Sequence, residues 1–241
     1  MSLKDKRVLV IGGGSGIGYA VAELAVAEGA SVVVASTNAE KVAAAAKKLG
    51  SQASSAVLDV SIEKNVQQFF SDNGKFDHIA FTAGDFIPSM FTSLVDLDFE
   101  EAAKLMNVRY WGALAVAKYA AKILPPGGSF TVTDGLLAHR PMKGSVLPTS
   151  LSGAVEHAAK AMAVELAPIR VNCVCPGLIR TEMVEAFPPE RLQHFQTMTQ
   201  RYPIPRAGMP AEAAEAYIYL MRAGYTTGQV LYVEGGALLI G

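Results

Sequence analysis

Charge, cysteine and tryptophan are all scarce in this 241-residue chain: 18% of residues are charged, two are cysteine and one is tryptophan. The 21 basic and 22 acidic side chains leave a net charge of −1. That balance gives no electrostatic case for a nucleic-acid or anionic-membrane partner. Mean hydropathy is +0.27, yet no apolar run approaches the roughly 18 residues of a membrane span. Residues Met1 to Arg7 lack the apolar core of a secretory signal, so a cytoplasmic location is expected. Cys173 and Cys175 stand in a C-x-C spacing with no further cysteine to complete a zinc site. They read as two small buried hydrophobes in a reducing compartment. His78, His157 and His194 show no metal-ligand spacing either, and no metal site is expected.

Apolar residues, by contrast, make up 51% of the chain, too many for a disordered polypeptide. They recur in a fixed alternation. Short apolar runs at Val8–Ile11, Ser31–Ala35, Ser55–Leu58, His78–Phe81, Ser129–Thr133, Ile169–Cys175 and about 229–233 read as strands. Helical patterns fall at about 16–28, 39–49, 62–73, 98–124, 149–167, 188–200 and 210–222. Strands that are apolar at every position are buried on both faces, and the helices between them are crossovers. The pattern predicts a Rossmann-type α/β fold, a doubly wound parallel sheet of about seven strands with helices on both faces. No linker interrupts it, so residues 1–241 are expected to form a single domain.

Gly12, Gly13, Gly14, Ser15, Gly16, Ile17 and Gly18 lie between the first strand and the first helix. Glycines there let the backbone turn tightly against a pyrophosphate, whose charge is favoured by the free N–H groups of the helix start. The second strand runs into Ser36, Thr37 and Asn38, where an NAD site would carry a carboxylate for the ribose hydroxyls. Neutral hydroxyls do not repel a 2′-phosphate, and Lys41 is the nearest cation. NADP(H) is therefore favoured over NAD(H).

Together these features resemble the short-chain dehydrogenase/reductase family over nearly the whole chain. The glycine loop is similar to the family's TGxxxGxG, with Ile11 in place of threonine. Asp59-Val60 resembles the adenine-contacting pair, and Thr82-Ala83-Gly84 stands where the family has Asn-Ala-Gly. Asn107 matches the active-site asparagine of the long helix. Glu165-Leu166-Ala167 with Ile169-Arg170-Val171-Asn172 resembles the family's ELA…IRVN segment. Pro176, Gly177, Leu178, Ile179 and Thr181 fall in its PGxxxT segment, which the resemblance implies closes over the nicotinamide. Gly235-Gly236 resembles the usual C-terminal VDGG. The resemblance also implies a homodimer or homotetramer, packed through the two long helices.

The catalytic core departs from that pattern. The family places a serine at the end of the fifth strand, a tyrosine thirteen residues on and a lysine four beyond. Those positions fall on Gly135, Pro148 and Ser152, and no tyrosine lies between Tyr119 and Tyr202. The family's tyrosine is the acid that protonates the product alkoxide, and its lysine lowers the tyrosine pKa. Neither proline nor serine can do this.

Asp134, His139 and Arg140 follow the fifth strand, at the sheet edge where ligands bind. Asp134 could stabilise a cation or act as an acid or base, according to how its pKa is shifted. Arg140 could orient an anion or pair with Asp134, and His139 could move protons. Each also has a structural alternative, as a turn cap, a surface ion pair or a solvated loop residue. On the helix carrying Asn107, a period of about 3.6 residues turns Arg109 roughly 200° away and puts Tyr110 on the same face. Residues at about 182–209, with Phe187, Phe195, Met198 and Tyr202, suggest either an apolar substrate lid or an oligomer contact. The leading expectation is an oxidoreductase acting on an iminium, an imine or an apolar ketone. A cofactor-binding sensor or scaffold, and a lyase or isomerase with the cofactor as spectator, are the alternatives.

Overall fold

The computed structural model describes residues 2–84 and 87–240. The chain opens with β1 (Arg7–Ile11), α1 (Gly16–Ala27), β2 (Ser31–Ser36), α2 (Ala39–Leu49), β3 (Ala53–Val57), α3 (Glu63–Asn73) and β4 (His78–Phe81). It continues with α4 (Phe99–Lys104), α5 (Ala113–Ala120), β5 (Ser129–Thr133), α6 (Val146–Glu165) and β6 (Arg170–Pro176). The last elements are α7 (Glu182–Glu185), α8 (Pro189–Thr199), α9 (Pro210–Arg222) and β7 (Val230–Val233). All seven strands pair in parallel, in the order β3-β2-β1-β4-β5-β6-β7.

The unbroken apolar run of β1 is explained by its two faces. Val8 and Val10 enter the core shared with α1, α2 and α9, whereas Leu9 and Ile11 enter the core shared with α3, α5 and α6. Each of these four residues is at most 1% exposed, and each buried side chain contributes about 1.5–3 kcal/mol. The strand order reverses between β1 and β4, which opens a crevice at the carboxyl ends of the strands. Among the described residues, no helix is long and apolar enough to cross a membrane.

Three expected boundaries shift. The third strand is Ala53–Val57 rather than 55–58, because Ala53 already pairs with Val32 of β2. The expected helix over 149–167 starts earlier, at Val146, with Pro148 in its first turn. Proline is tolerated there because a first-turn N–H has no intrahelical partner to lose. The expected single helix over 98–124 is broken. Between α4 and α5, residues Asn107–Gly112 wind as a π-helix, whose i→i+5 bonding resets the direction of every side chain in the turn.

Candidate active site

The glycine loop is built to admit the chain of a dinucleotide. A Cβ on Gly18, in the first turn of α1, would collide with the Gly12 carbonyl oxygen, so only glycine lets α1 start against the β1 turn. Thr82 Oγ1 donates to the Ile11 carbonyl at 3.0 Å and ties the ends of β1 and β4 together. It thereby does the bridging work expected of the absent asparagine. Ser15 is the N-cap residue of α1 but makes no side-chain capping bond. The Gly16 amide instead donates to Glu182 Oε2 at 3.0 Å. A carboxylate thus stands where a phosphate oxygen would sit, so the loop accepts an anion at the helix start.

At the adenosine end, Ser36 closes β2 and its Oγ accepts from the Asn38 amide at 3.3 Å. Asn38 caps α2 by accepting from the Lys41 amide at 2.9 Å, while Thr37 is exposed. Asp59 Oδ1 accepts from the Ser61 amide at 2.9 Å and the Ser61 hydroxyl at 2.6 Å, beside the buried Val60. Ala83 and Gly84 follow Thr82 along the crevice. Pro176 ends β6, Gly177 donates to the Val233 carbonyl at 2.9 Å, and the Leu178 carbonyl accepts from Gly208 at 3.0 Å. Ile179 is buried, and Thr181 caps α7. These residues fit a nucleotide cofactor laid across the carboxyl ends of the strands.

Asp134 is the first residue beyond β5. It is 2% exposed, and among the described residues neither of its carboxyl oxygens has a hydrogen-bond partner. Burial pushes its pKa up to about 9, reinforced by the neighbouring Glu156 carboxyl, so Asp134 is a neutral acid at physiological pH. Glu156 is also 2% exposed. Burial opposes its charge, but its contacts with Asp134 and His139 outweigh that and hold it below the usual carboxylate range. Glu156 Oε1 lies 2.5 Å from His139 Nε2, and the same nitrogen lies 3.1 Å from the Tyr232 hydroxyl. Because an ionised Glu156 can only accept, Nε2 carries the hydrogen. Cys175 completes the group, and one donor atom each from Asp134, His139, Glu156 and Cys175 lie within 4.8 Å of one another. Burial pushes the thiols of Cys173 and Cys175 upward, which keeps them neutral.

That group does not hold a metal in this geometry. Two ligands of one tetrahedral zinc, bound at about 2.1 Å, sit about 3.4 Å apart. Glu156 and His139 are 2.5 Å apart and share a proton instead.

Several sequence expectations change here. Arg140 does not pair with Asp134, because its Nη1 donates to the Ala237 carbonyl at 2.6 Å and ties down the C-terminal segment. Arg109, expected to point away, reaches the site. Its Nη1 lies 3.5 Å from the Asp134 carbonyl oxygen, and a Cβ on Gly84 would come within 2.7 Å of its guanidinium carbon. The π-helical turn invalidates the 3.6-residue arithmetic. Tyr110 packs edge-on against Trp111, with centroids 4.9 Å apart, and joins the core. Asn107 opens the π-helical turn and is exposed.

Glu156 went unnoticed in the sequence. It follows Pro148 and Ser152 at i, i+4, i+8 on one helix face, so a charge on that otherwise small and apolar face was the available signal. The remaining buried phenol near the sheet edge, Tyr217, is 0% exposed. It donates to Thr133 Oγ1, which in turn donates to the Phe81 carbonyl, and it is sealed from the crevice.

Comparison with known proteins agrees with the geometry. A family model described as enoyl-(acyl carrier protein) reductase matches residues 12–237. Short-chain dehydrogenase/reductase ucsE of an Acremonium species is 36% identical, over 98% of this chain and 97% of its own. The MalC reductase/Diels-Alderase of Malbranchea aurantiaca is 31% identical, with a TM-score of 0.91 over 99% of this chain and 98% of that one. A small-chain dehydrogenase solved in complex with NADPH is 32% identical, with a TM-score of 0.81 over 98% of this chain and 100% of that one. With its parallel sheet and glycine loop, the chain belongs to the short-chain dehydrogenase/reductase family and is an NAD(P)-dependent oxidoreductase.

Proposed function

We propose that this protein is an NADPH-dependent reductase of a C=N or C=O bond in an apolar substrate, with Asp134 as proton donor. The observation that carries the reading is the Asp134 carboxyl at the carboxyl end of β5, where burial beside Glu156 raises its pKa. The nicotinamide, when bound, supplies the hydride. Glycine-loop amides, with Ser36 and Thr37 at the β2 end, hold the dinucleotide, and their neutrality favours the 2′-phosphate. Asp134 passes its proton to the imine nitrogen or the ketone oxygen. This is the work that tyrosine performs elsewhere in the family. With Glu156 ionised and Asp134 protonated, the pair carries one net negative charge, which also suits a substrate arriving as an iminium. The segment at 182–209 covers the substrate. Arg191, over Phe187 at 4.1 Å and Phe91 at 5.0 Å, links it to the loop after β4. Exposed Trp111 and Val164, at 59% and 82%, support assembly as a homodimer or homotetramer.

The test is turnover of Asp134→Asn on cyclic imines, ketones and an N-alkyl iminium, followed by loss of NADPH absorbance. Removing a general acid should lower kcat/KM for imines and ketones by about 10²–10⁴-fold. The N-alkyl iminium needs no proton and should lose far less. Unchanged imine and ketone turnover would remove Asp134 from the role. NADPH binding without turnover on any substrate would favour the sensor reading.

A further inference from the structure

As the acid, Asp134 must regain a proton after each turnover, and only 2% of its surface meets solvent. Glu156 stands beside it, and His139 is bonded to Glu156 at 2.5 Å. The His139 side chain is 30% exposed and so reaches solvent. Resting on that reading, we propose that His139 and Glu156 form a proton relay that recharges Asp134 from solvent.

The relay balances one proton per turnover. Asp134 gives its proton to substrate and becomes a carboxylate. His139, protonated on Nδ1 by water or buffer, passes the Nε2 proton to Glu156. It then exchanges its Nδ1 proton for one on Nε2 through solvent, which resets the ring. Glu156 passes a proton to Asp134 and returns to its ionised form. The span between the two carboxyls, within 4.8 Å, is closed by one water or by rotation of either group. Imidazole suits the outer position because it takes a proton on one nitrogen while releasing one from the other. Tyr232, 40% exposed, holds the ring edge-on at 5.0 Å between centroids and so fixes the direction of Nε2. Glu156 and His139 are positioning residues, since they act through Asp134 and not on substrate.

Among the described residues, the charged and titratable groups facing this cluster include Glu234, near Cys175. Arg109 approaches from the π-helical turn, Cys173 and Cys175 from β6, Tyr217 from α9, and Tyr232 from β7. Lys160 faces Glu156 from its own helix. The thiols and Tyr217 are held neutral by burial, and Arg109 keeps its charge. Among the described residues, the His139–Glu156 hydrogen bond leads from the surface to within 4.8 Å of the Asp134 carboxyl.

A pH jump on the cofactor-free protein tests this directly, from above pH ~9 to neutral, with time-resolved infrared detection of the protonated Asp134 carboxyl band. The band should be absent in Asp134→Asn, which assigns it. Its recovery should slow about 10-fold or more in His139→Ala and in Glu156→Gln, and added imidazole should restore the rate in His139→Ala alone. Steady-state kcat on an imine should fall in parallel in His139→Ala and respond to imidazole, with the first turnover unchanged. Recovery at the wild-type rate in His139→Ala would overturn the relay, as would a slowing that imidazole does not relieve. Stoichiometric zinc in the purified protein would overturn it too. Failure of Asp134 as the acid shows separately, as full imine turnover by Asp134→Asn.

Discussion

Glu182 Oε2 accepts a hydrogen bond from the Gly16 amide at 3.0 Å, so a side chain from the segment after β6 sits on the glycine loop. Thr181 is equally close, since a Cβ on Gly16 would meet its Cγ2 at 3.2 Å. The free N–H of an α-helix start is the place a phosphate oxygen takes in a dinucleotide site. A cofactor phosphate bound at this helix start would compete with Glu182 for one donor.

Replacing Glu182 by glutamine removes the competing charge but keeps the shape. NADPH should bind about 3- to 10-fold more tightly to Glu182→Gln, a gain of roughly 1 kcal/mol. Isothermal titration of the two proteins with NADPH measures this, and equal or weaker binding would show that the carboxylate does not compete.

The proposed preference for NADPH makes the end of β2 the place to vary. Ser36→Asp places a carboxylate beside the adenosine ribose, where it repels a 2′-phosphate and accepts from ribose hydroxyls. The ratio of NADH to NADPH dissociation constants should fall by about 10-fold or more, at least about 1.4 kcal/mol. An unmoved ratio would place the discrimination elsewhere, with Lys41 the next residue to vary.

The neutral Asp134 also leaves a mark on stability. Its folded pKa of about 9 exceeds the ordinary unfolded value of about 3.9, so the native state holds an extra proton throughout that window. Stability from this group is fully present below pH ~4, declines as pH rises toward ~9, and is flat above. The lowered Glu156 acts in the opposite sense and only at acid pH, below its ordinary carboxylate range. Asp134→Asn abolishes the Asp134 slope, so its denaturation midpoint should gain on wild type between about pH 5 and pH 9. Parallel curves for the two proteins would contradict a neutral Asp134.

Much of the architecture was legible before folding was considered. Val8 to Ile11 is apolar without alternation, which requires two covering layers, and Gly12 to Gly18 marks the anion site by composition alone. The position of Asp134 at the end of β5 is likewise legible in the pattern. The errors arose where a local rule met a long-range packing demand. Asn107–Gly112 winds as a π-helix, which brings Arg109 against Gly84, and no 3.6-residue periodicity reports such a change. Arg140 was placed near Asp134 by proximity in sequence, yet the carbonyl that holds it belongs to Ala237, 97 residues away.

The sequence by itself determined that no tyrosine lies between Tyr119 and Tyr202 and that Pro148 and Ser152 stand where the family's spacing expects tyrosine and lysine. It also determined a parallel sheet buried on both faces. Only the tertiary structure decided the surroundings of Asp134, the acid proposed in place of that tyrosine. The protonation of Asp134 depends on burial and on Glu156 beside it, and that neighbour comes from a helix 22 residues along the chain. A pKa is set by the space around a group, and that space is assembled from β5, α6, β6 and β7 at once.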